Sequence, residues 1–316
     1  PSHFSALELD QKMNHNIGDI RDYNNLKKIF DLHKPDIVFH LAAQPLVRKS
    51  YKEPLETIEV NTMGVVNILE IARVSDYIKS IVIVTSDKCY DNVEWIWGYR
   101  ENDKLGGEDP YSASKGAAEF AIRSYVKSYF NEKNKIRIGV ARAGNVIGGG
   151  DWSEDRLLPD CVKSWSINHQ VKVRNPKSTR PWQHVLEALS GYILLAVKLQ
   201  INPKLHGEAF NFGPNNRHNY SVKSLLNEIK LIWPTIAWSI REDKKKFQES
   251  NLLKLNCKKA KKKISWHSVL TFKENIRMTI EWYRAYYDVN KKVNMKRFSE
   301  NQIKEFTKLI LKRSKK

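Results

Sequence analysis

Three short apolar runs, each tied to a segment of helical spacing, restrict what this chain can fold into. Residues 37–43, 81–84 and 136–142 read Ile-Val-Phe-His-Leu-Ala-Ala, Ile-Val-Ile-Val and Ile-Arg-Ile-Gly-Val-Ala-Arg. Runs of this length, rich in β-branched residues, are the mark of strands buried on both faces. Between the first two, residues 57–74 place Val60, Met63, Val66, Ile68, Leu69 and Ala72 on a helical period. A second helix is expected over 111–130, after Asp109-Pro110. Strands alternating with helices predict an α/β fold, a parallel sheet with helices on both faces. Ligands of such sheets sit at the carboxyl ends of the strands. Here those ends carry Ala42-Ala43-Gln44, Thr85-Ser86-Asp87-Lys88 and Gly144-Asn145.

The second strand end is the most reactive-looking of the three. Asp87 and Lys88 are an acid/base pair at the end of a buried strand, next to Ser86. Downstream, Tyr111 and Lys115 are four residues apart and share one face of the expected helix. A lysine ammonium beside a phenol is expected to bring its pKa down from about 10 toward neutrality, which makes Tyr111 a usable base. A carboxyl beside an ammonium ordinarily ionises more easily, so acid duty for Asp87 requires burial or a further charge to raise its pKa.

After Gly148-Gly149-Gly150 the pattern changes. Residues 151–182 are loop-rich and polar-aromatic. A helix over 184–199, a strand over 209–212 and an amphipathic helix over 272–287 follow. The division expected is a sheet domain over 1–150 and a smaller, more irregular domain over 151–316, with segments near 183–214 packing back onto the first. The 316 residues can bury a large core. No apolar run approaches the roughly 20 residues that span a bilayer, and residues 1–4 do not begin a signal peptide. Cys89, Cys161 and Cys257 show neither metal-ligand nor disulfide spacing, so no metal is expected and a reducing, cytoplasmic setting is. The net charge is +19, much of it in Lys244-Lys245-Lys246, Lys258-Lys259, Lys261-Lys262-Lys263 and the tail through Lys316. No nucleic-acid-binding signature accompanies these runs, so neither nucleic acid nor membrane is expected as a partner. A positive field of this kind does attract a phosphorylated substrate.

Taken together, the motifs resemble the extended short-chain dehydrogenase/reductase family, in its sugar-nucleotide epimerase/dehydratase branch. The matching segments include 18–22, 40–48, 85–92, 98–101, 111–115, 142–152 and 180–187, in family order over nearly the whole chain. Ser-Asp-Lys-Cys-Tyr-Asp-Asn at 86–92 and Arg-Pro-Trp-Gln-His-Val-Leu-Glu at 180–187 are the specific ones. Ser86-Asp87-Lys88 stands where dehydratases acting on dTDP-glucose have Thr-Asp-Glu, and the resemblance is to the branch that acts on CDP-glucose. It implies a lyase with NAD as cofactor. Water is lost across C5–C6 of the glucose unit within an internal redox cycle, and a CDP-4-keto-6-deoxy sugar results, for deoxysugar and lipopolysaccharide-type pathways. Tyr111 would take the 4-hydroxyl proton, with Lys115 holding it anionic and binding the nicotinamide ribose. Ser86 would hydrogen-bond the 4-oxygen, Asp87 would act as acid and Lys88 as base. Asp19 and Ile20 resemble the adenine contacts, while Leu41, Ala42, Ala43, Gln44 and Asn61 resemble the wall along the cofactor. Asn145 and Arg180 resemble ligands of the substrate diphosphate. For Trp152 and Trp182, core packing is as good a reading as ring contact. The helices beginning near Thr57 and Tyr111 resemble the pair that forms the family's homodimer.

In one respect the chain departs from the family. Its first strand, Gly-x-x-Gly-x-x-Gly loop, following helix and second strand are not in this sequence, which reads as a fragment lacking its amino terminus. Those glycines let backbone N–H groups reach the cofactor pyrophosphate. Residues 1–316 by themselves are therefore expected to expose apolar strand surface, to purify poorly, to carry no NAD and to lack dehydratase activity. The readings left open beside the CDP-glucose lyase are another dehydratase or epimerase of the same fold, and an inactive chain that serves as a binding partner.

Overall fold

The computed structural model describes residues 1–130, 135–215, 220–240, 252–288 and 290–313. The basic run 244–246 and the end of the tail at Lys316 lie outside them. The main sheet has four parallel strands: β1 (Ile37–His40), β2 (Ser80–Val84), β3 (Arg137–Ala143) and β4 (Ala209–Phe212), in that spatial order. One face is covered by α1 (Tyr23–His33), α2 (Gly64–Arg73) and α3 (Pro110–Ser128). Val38, Ile81, Ile83, Ile138 and Val140 point into this layer and meet Ile68, Leu69, Ala118 and Ile122. β2 is apolar on both sides because Val82 faces the opposite layer.

That second layer is built later in the chain. After α4 (Leu157–Ser166), helix α5 (Val185–Ile201) lays Ala188, Leu195, Ala196 and Leu199 against Val82, Ala141 and Phe210. Following α6 (Val222–Ile232), helix α7 (Lys258–Ile264) joins it through Ala260 and Ile264. A separate apolar cluster gathers α4, α6, and α8 (Phe272–Tyr287) around Trp282 and Tyr283, and Leu7 enters it from the start of the chain. Helix α9 (Met295–Arg313) packs on α8 through Phe306 and Met278.

Several boundaries differ from the sequence expectation, for local reasons. The first strand stops at His40 rather than Ala43. Beyond it the backbone of Gln44 is captured by Asn61, which accepts from its N–H (2.8 Å) and donates to its carbonyl (3.1 Å). The expected 57–74 helix begins at Pro54, whose fixed φ suits a first helical position. It widens to a π-turn over Glu59–Met63 before α2. β1 forms one edge of the sheet, and Ile37 and Phe39 on it are exposed.

Candidate active site

The reactive segment is set by the way β2 ends. Ser86 is still extended, and its hydroxyl accepts from the Lys88 N–H (3.2 Å), so the chain turns at once into the short 3-10 helix Asp87–Cys89. The same hydroxyl donates to Asp87 Oδ1 (3.0 Å). Asp87 is buried, and its Oδ2 makes no hydrogen bond among the described residues. The carboxyl occupies the space over Gly144, where any β-carbon would collide with it. Burial pushes the Asp87 pKa up, against the opposing pull of Lys88, the Ser86 hydroxyl and Arg180. The neighbouring ammonium therefore does not decide this carboxyl; desolvation does.

Helix α3 brings up the second half of the site. Asp109 caps it, its carboxylate accepting from the Ser112 N–H (2.9 Å) and hydroxyl (2.6 Å), and Pro110 opens it. This orients Tyr111 and Lys115 inward, 8% and 5% exposed. The Tyr111 side chain is hydrogen-bonded to Ser86. The electrostatics correct the sequence expectation. Burial raises the Tyr111 pKa to about 12, although the Ser86 bond opposes it. Burial also lowers the Lys115 pKa to about 8. The lysine nitrogen is 6.0 Å from the phenol ring centre. The pair as folded thus favours a neutral phenol beside an ammonium whose proton is held less tightly than usual, rather than a phenolate beside an ammonium.

Beneath the strand ends runs a polar network that the sequence reading did not single out. Glu119, one turn beyond Lys115 on the same helix face, makes a paired contact with Arg142 of β3 (2.8 and 2.9 Å). Thr85 donates to Glu119 (2.6 Å), tying the residue before Ser86 to that ion pair. Arg142 also donates to the Tyr90 hydroxyl (2.8 Å) and the Glu101 carbonyl (3.0 Å), and Tyr90 donates to Asn211 of β4 (2.7 Å). The signal was present: an arginine inside an apolar strand, and a glutamate spaced four from a catalytic-looking lysine.

The remaining expected residues separate into groups. Leu41 and Ala42 form an exposed apolar shelf just past His40, on which Lys115 acts electrostatically, and Ala43 is half-buried beside them. Gln44 and Asn61 are buried. Gln44 spends its amide on Leu46 and Thr57, and Asn61 holds Gln44 and Ser114, so both shape the wall rather than face a ligand with free side chains. Asp19 is exposed and engaged by Arg21 (2.6 Å). Ile20 packs against Gly64, and its carbonyl accepts from Asn67 (2.9 Å). Asn145 follows Gly144 with positive φ, a conformation asparagine tolerates, and its carbonyl accepts from the Gln183 N–H. Arg180 lies close enough to act on the Asp87 carboxyl. Trp152 donates to Tyr287 (2.8 Å) and packs with Trp282, and Trp182 lies in the same cluster, so both are core residues.

A parallel sheet whose strand end supplies a serine, followed by a helix supplying Tyr-x-x-x-Lys beside it, defines a Rossmann-type enzyme of the short-chain dehydrogenase/reductase class. Residues 2–279 match the family model described as GDP-mannose 4,6 dehydratase, and the chain belongs to that family of sugar-nucleotide dehydratases. It is 45% identical over 290 residues to CDP-glucose 4,6-dehydratase of Salmonella typhimurium, covering 90% of this chain and 81% of that protein. Among solved structures, UDP-glucose 4-epimerase of Thermotoga maritima superimposes with a TM-score of 0.74 at 22% identity, over 88% of both chains. A dTDP-glucose 4,6-dehydratase of Streptomyces venezuelae, solved with NAD, gives 0.72 at 20% identity, over 89% and 82% of the chains. At those identities the two structures speak for the fold.

The residues present suit the nicotinamide-ribose half of such a cofactor. A buried lysine of lowered pKa stands beside an exposed shelf of Leu41 and small Ala42 at a strand's carboxyl end, where a flat ring and a sugar can approach the backbone.

Proposed function

We propose that this protein removes water from the glucose unit of CDP-glucose, giving the CDP-4-keto-6-deoxy sugar. The observation that carries the reading is the Ser86-Asp87-Lys88 segment. It gives a buried carboxyl of raised pKa, with one oxygen free of partners among the described residues, an adjacent lysine, and the Tyr111 phenol within hydrogen-bond reach of Ser86. An enzyme that only inverts C4 has no use for an elimination pair. The 45% identity to a CDP-glucose 4,6-dehydratase supports the same nucleotide.

Each side chain has a task in that reaction. Tyr111 accepts the proton of the 4-hydroxyl, and Ser86 holds the 4-oxygen. Lys88 takes the proton from C5, acidified by the ketone at C4. Asp87, its pKa raised by burial, gives its proton to the departing C6 hydroxyl, so that water leaves with atoms and charge in balance. Arg180 and Asn145 bind the diphosphate; a guanidinium suits paired phosphate oxygens. Lys115, with the Leu41, Ala42 and Ala43 wall, would hold the nicotinamide ribose, and Asp19 and Ile20 the adenine end. When bound, NAD would supply a cationic ring and the redox capacity for the cycle, and Lys88 would give its proton back to C5 to complete the 4-keto-6-deoxy product.

The setting is the cytoplasm, in keeping with three free cysteines, and the product feeds deoxysugars of lipopolysaccharide-type glycans. The working form is a homodimer. Leu55, Ile58 and Met63 on the 54–63 helix, and Phe120 on α3 against which it packs, are large apolar side chains left exposed. The test of substrate is direct: kcat/KM for CDP-glucose, dTDP-glucose and UDP-glucose, measured on a chain that also carries the family's glycine-loop segment, with detection of the 4-keto product. CDP-glucose should lead by at least about tenfold, the worth of one good discriminating contact. Equal values would remove the nucleotide assignment.

A further inference from the structure

Away from the catalytic strand ends, four residues that each carry an unpartnered buried polar atom line one small cavity. It has a volume of about 10 Å³ and is lined in part by Gln183, His184, Glu187, Ser268, Thr271 and Asn275. Gln183, His184 and Glu187 are each 2% exposed and Asn275 is 4% exposed. Gln183 Oε1, His184 Nε2, Glu187 Oε2 and Asn275 Oδ1 all lack a hydrogen-bond partner among the described residues. One unpaired buried polar atom costs about 1–3 kcal/mol; four around one cavity mark a site for a ligand of matching chemistry.

The other ends of these side chains fix what each atom offers. The Gln183 amide nitrogen donates to the Phe212 carbonyl (2.7 Å), and that of Asn275 to the Trp182 carbonyl (2.9 Å), so each amide has an acceptor oxygen left for the cavity it lines. His184 Nδ1 accepts from the Leu186 N–H (3.3 Å), which puts the proton of the neutral ring on Nε2 as a donor. Glu187 Oε1 accepts from the N–H groups of Val269 (2.7 Å) and Leu270 (2.6 Å), leaving Oε2 for the cavity. Were Glu187 ionised, three acceptors would face one donor. With Glu187 neutral there are two donors and two acceptors, which is the complement of a single water molecule. The volume is that of one water, and the histidine N–H opposes a cation.

We propose that this cavity binds one water molecule, four-bonded between the Glu187 carboxylic acid, the His184 Nε2–H and the amide oxygens of Gln183 and Asn275, and that this water rivets the start of α5 to α8. Burial supports it by raising the Glu187 pKa to about 7 despite its two backbone bonds. It also holds His184 neutral, at about 4. The charged groups facing Glu187 are Arg313 of α9 and Glu274 of α8, which act in opposite senses and are paired with each other (2.8 Å).

The consequence has a sign. The folded pKa of Glu187 lies above its ordinary value, so its stabilisation is complete below the ordinary carboxylate range and is lost as pH rises toward about 7. Glu187→Gln keeps an acceptor for Val269 and Leu270 and a donor for the water, without the titration. Across that window the unfolding constant of the wild type, relative to Glu187→Gln, should rise by up to about tenfold per pH unit. A crystal structure of the protein should show a water within hydrogen-bond reach of all four atoms. Infrared spectra below neutral pH should show a buried carboxylic-acid band that Glu187→Gln abolishes. Parallel stability profiles for the two proteins, no such band, a dry cavity, or an anomalous signal from rubidium or thallium at the site would each overturn the proposal.

Discussion

Tyr111 and Lys115 occupy the same buried wall, and desolvation drives them in opposite directions toward the same state. The phenol rises to about 12 and the ammonium falls to about 8, so each moves toward its neutral form. A phenol held neutral is a poor base, so the role proposed for Tyr111 requires positive charge to be added to the wall. Asp87 is subject to the same physics, since burial raises its pKa and so favours the proton that the proposed acid role requires. Two outcomes follow at this scale. Tyr111→Phe in active enzyme should lower kcat by about 10²–10⁴-fold with the fold intact; turnover near wild type would take Tyr111 out of the mechanism. Lys88→Met should stop the incorporation of solvent deuterium at C5 along with turnover, since the base is gone. Undiminished exchange at C5 would assign the proton to another group.

At the scale of elements, α3 and the 54–63 helix do two jobs with opposite faces. Inward, α3 presents Tyr111, Lys115 and Glu119, and the π-turn presents Asn61, which pins the loop after β1 through Gln44 and also grips Ser114 (2.9 Å). The Glu119–Arg142 pair then ties α3 to β3 with both partners about 4% exposed. Removing one partner of such a pair typically costs 3–5 kcal/mol, about what is lost when a charge is left buried alone. Outward, the same helices leave Met63 and Phe120 about half exposed, at 48% and 55%. Carboxylates there should be harmless in a monomer and disruptive in a dimer. Light scattering after size exclusion should give twice the chain mass for the wild type, and a single chain mass for the protein carrying Met63→Glu and Phe120→Glu. A wild type already at single-chain mass would dispose of the homodimer.

For the whole molecule, buried titratable groups set the response to acid. His40 ends β1 in a position 5% exposed, where burial and the Lys115 charge lower its pKa to about 4. The unfolded chain therefore takes up a proton below about 6.5 that the folded chain refuses. Stability falls as pH drops from about 6.5 toward 4, by an amount on the order of 3 kcal/mol for this residue alone. His40→Asn should flatten the acid limb of a urea-unfolding series by about one proton's worth of slope. An unchanged slope would show that His40 already titrates normally in the folded protein.

What the sequence determined by itself was what local pattern can encode. Strand and helix alternation is a matter of side-chain period. It placed β2 within one residue and β4 and α8 to the residue, and it marked the polar strand ends where chemistry collects. The capped start of α3 and the four-residue spacing of Tyr111 and Lys115 were likewise legible, because capping and helical repeat act over a few residues. Burial, by contrast, is a property of the assembled layers. It took the assembled layers to set Asp87 over Gly144 with its pKa raised by burial, and to make the Tyr111 pKa rise instead of fall. Only the tertiary structure joined Thr85, Glu119, Arg142, Tyr90 and Asn211, drawn from separate strands and helices, into one network, and brought Glu187 to meet Asn275 around a single cavity. The physical reason is desolvation: the cost of a charge depends on every element that excludes water from it, and no stretch of sequence contains them all.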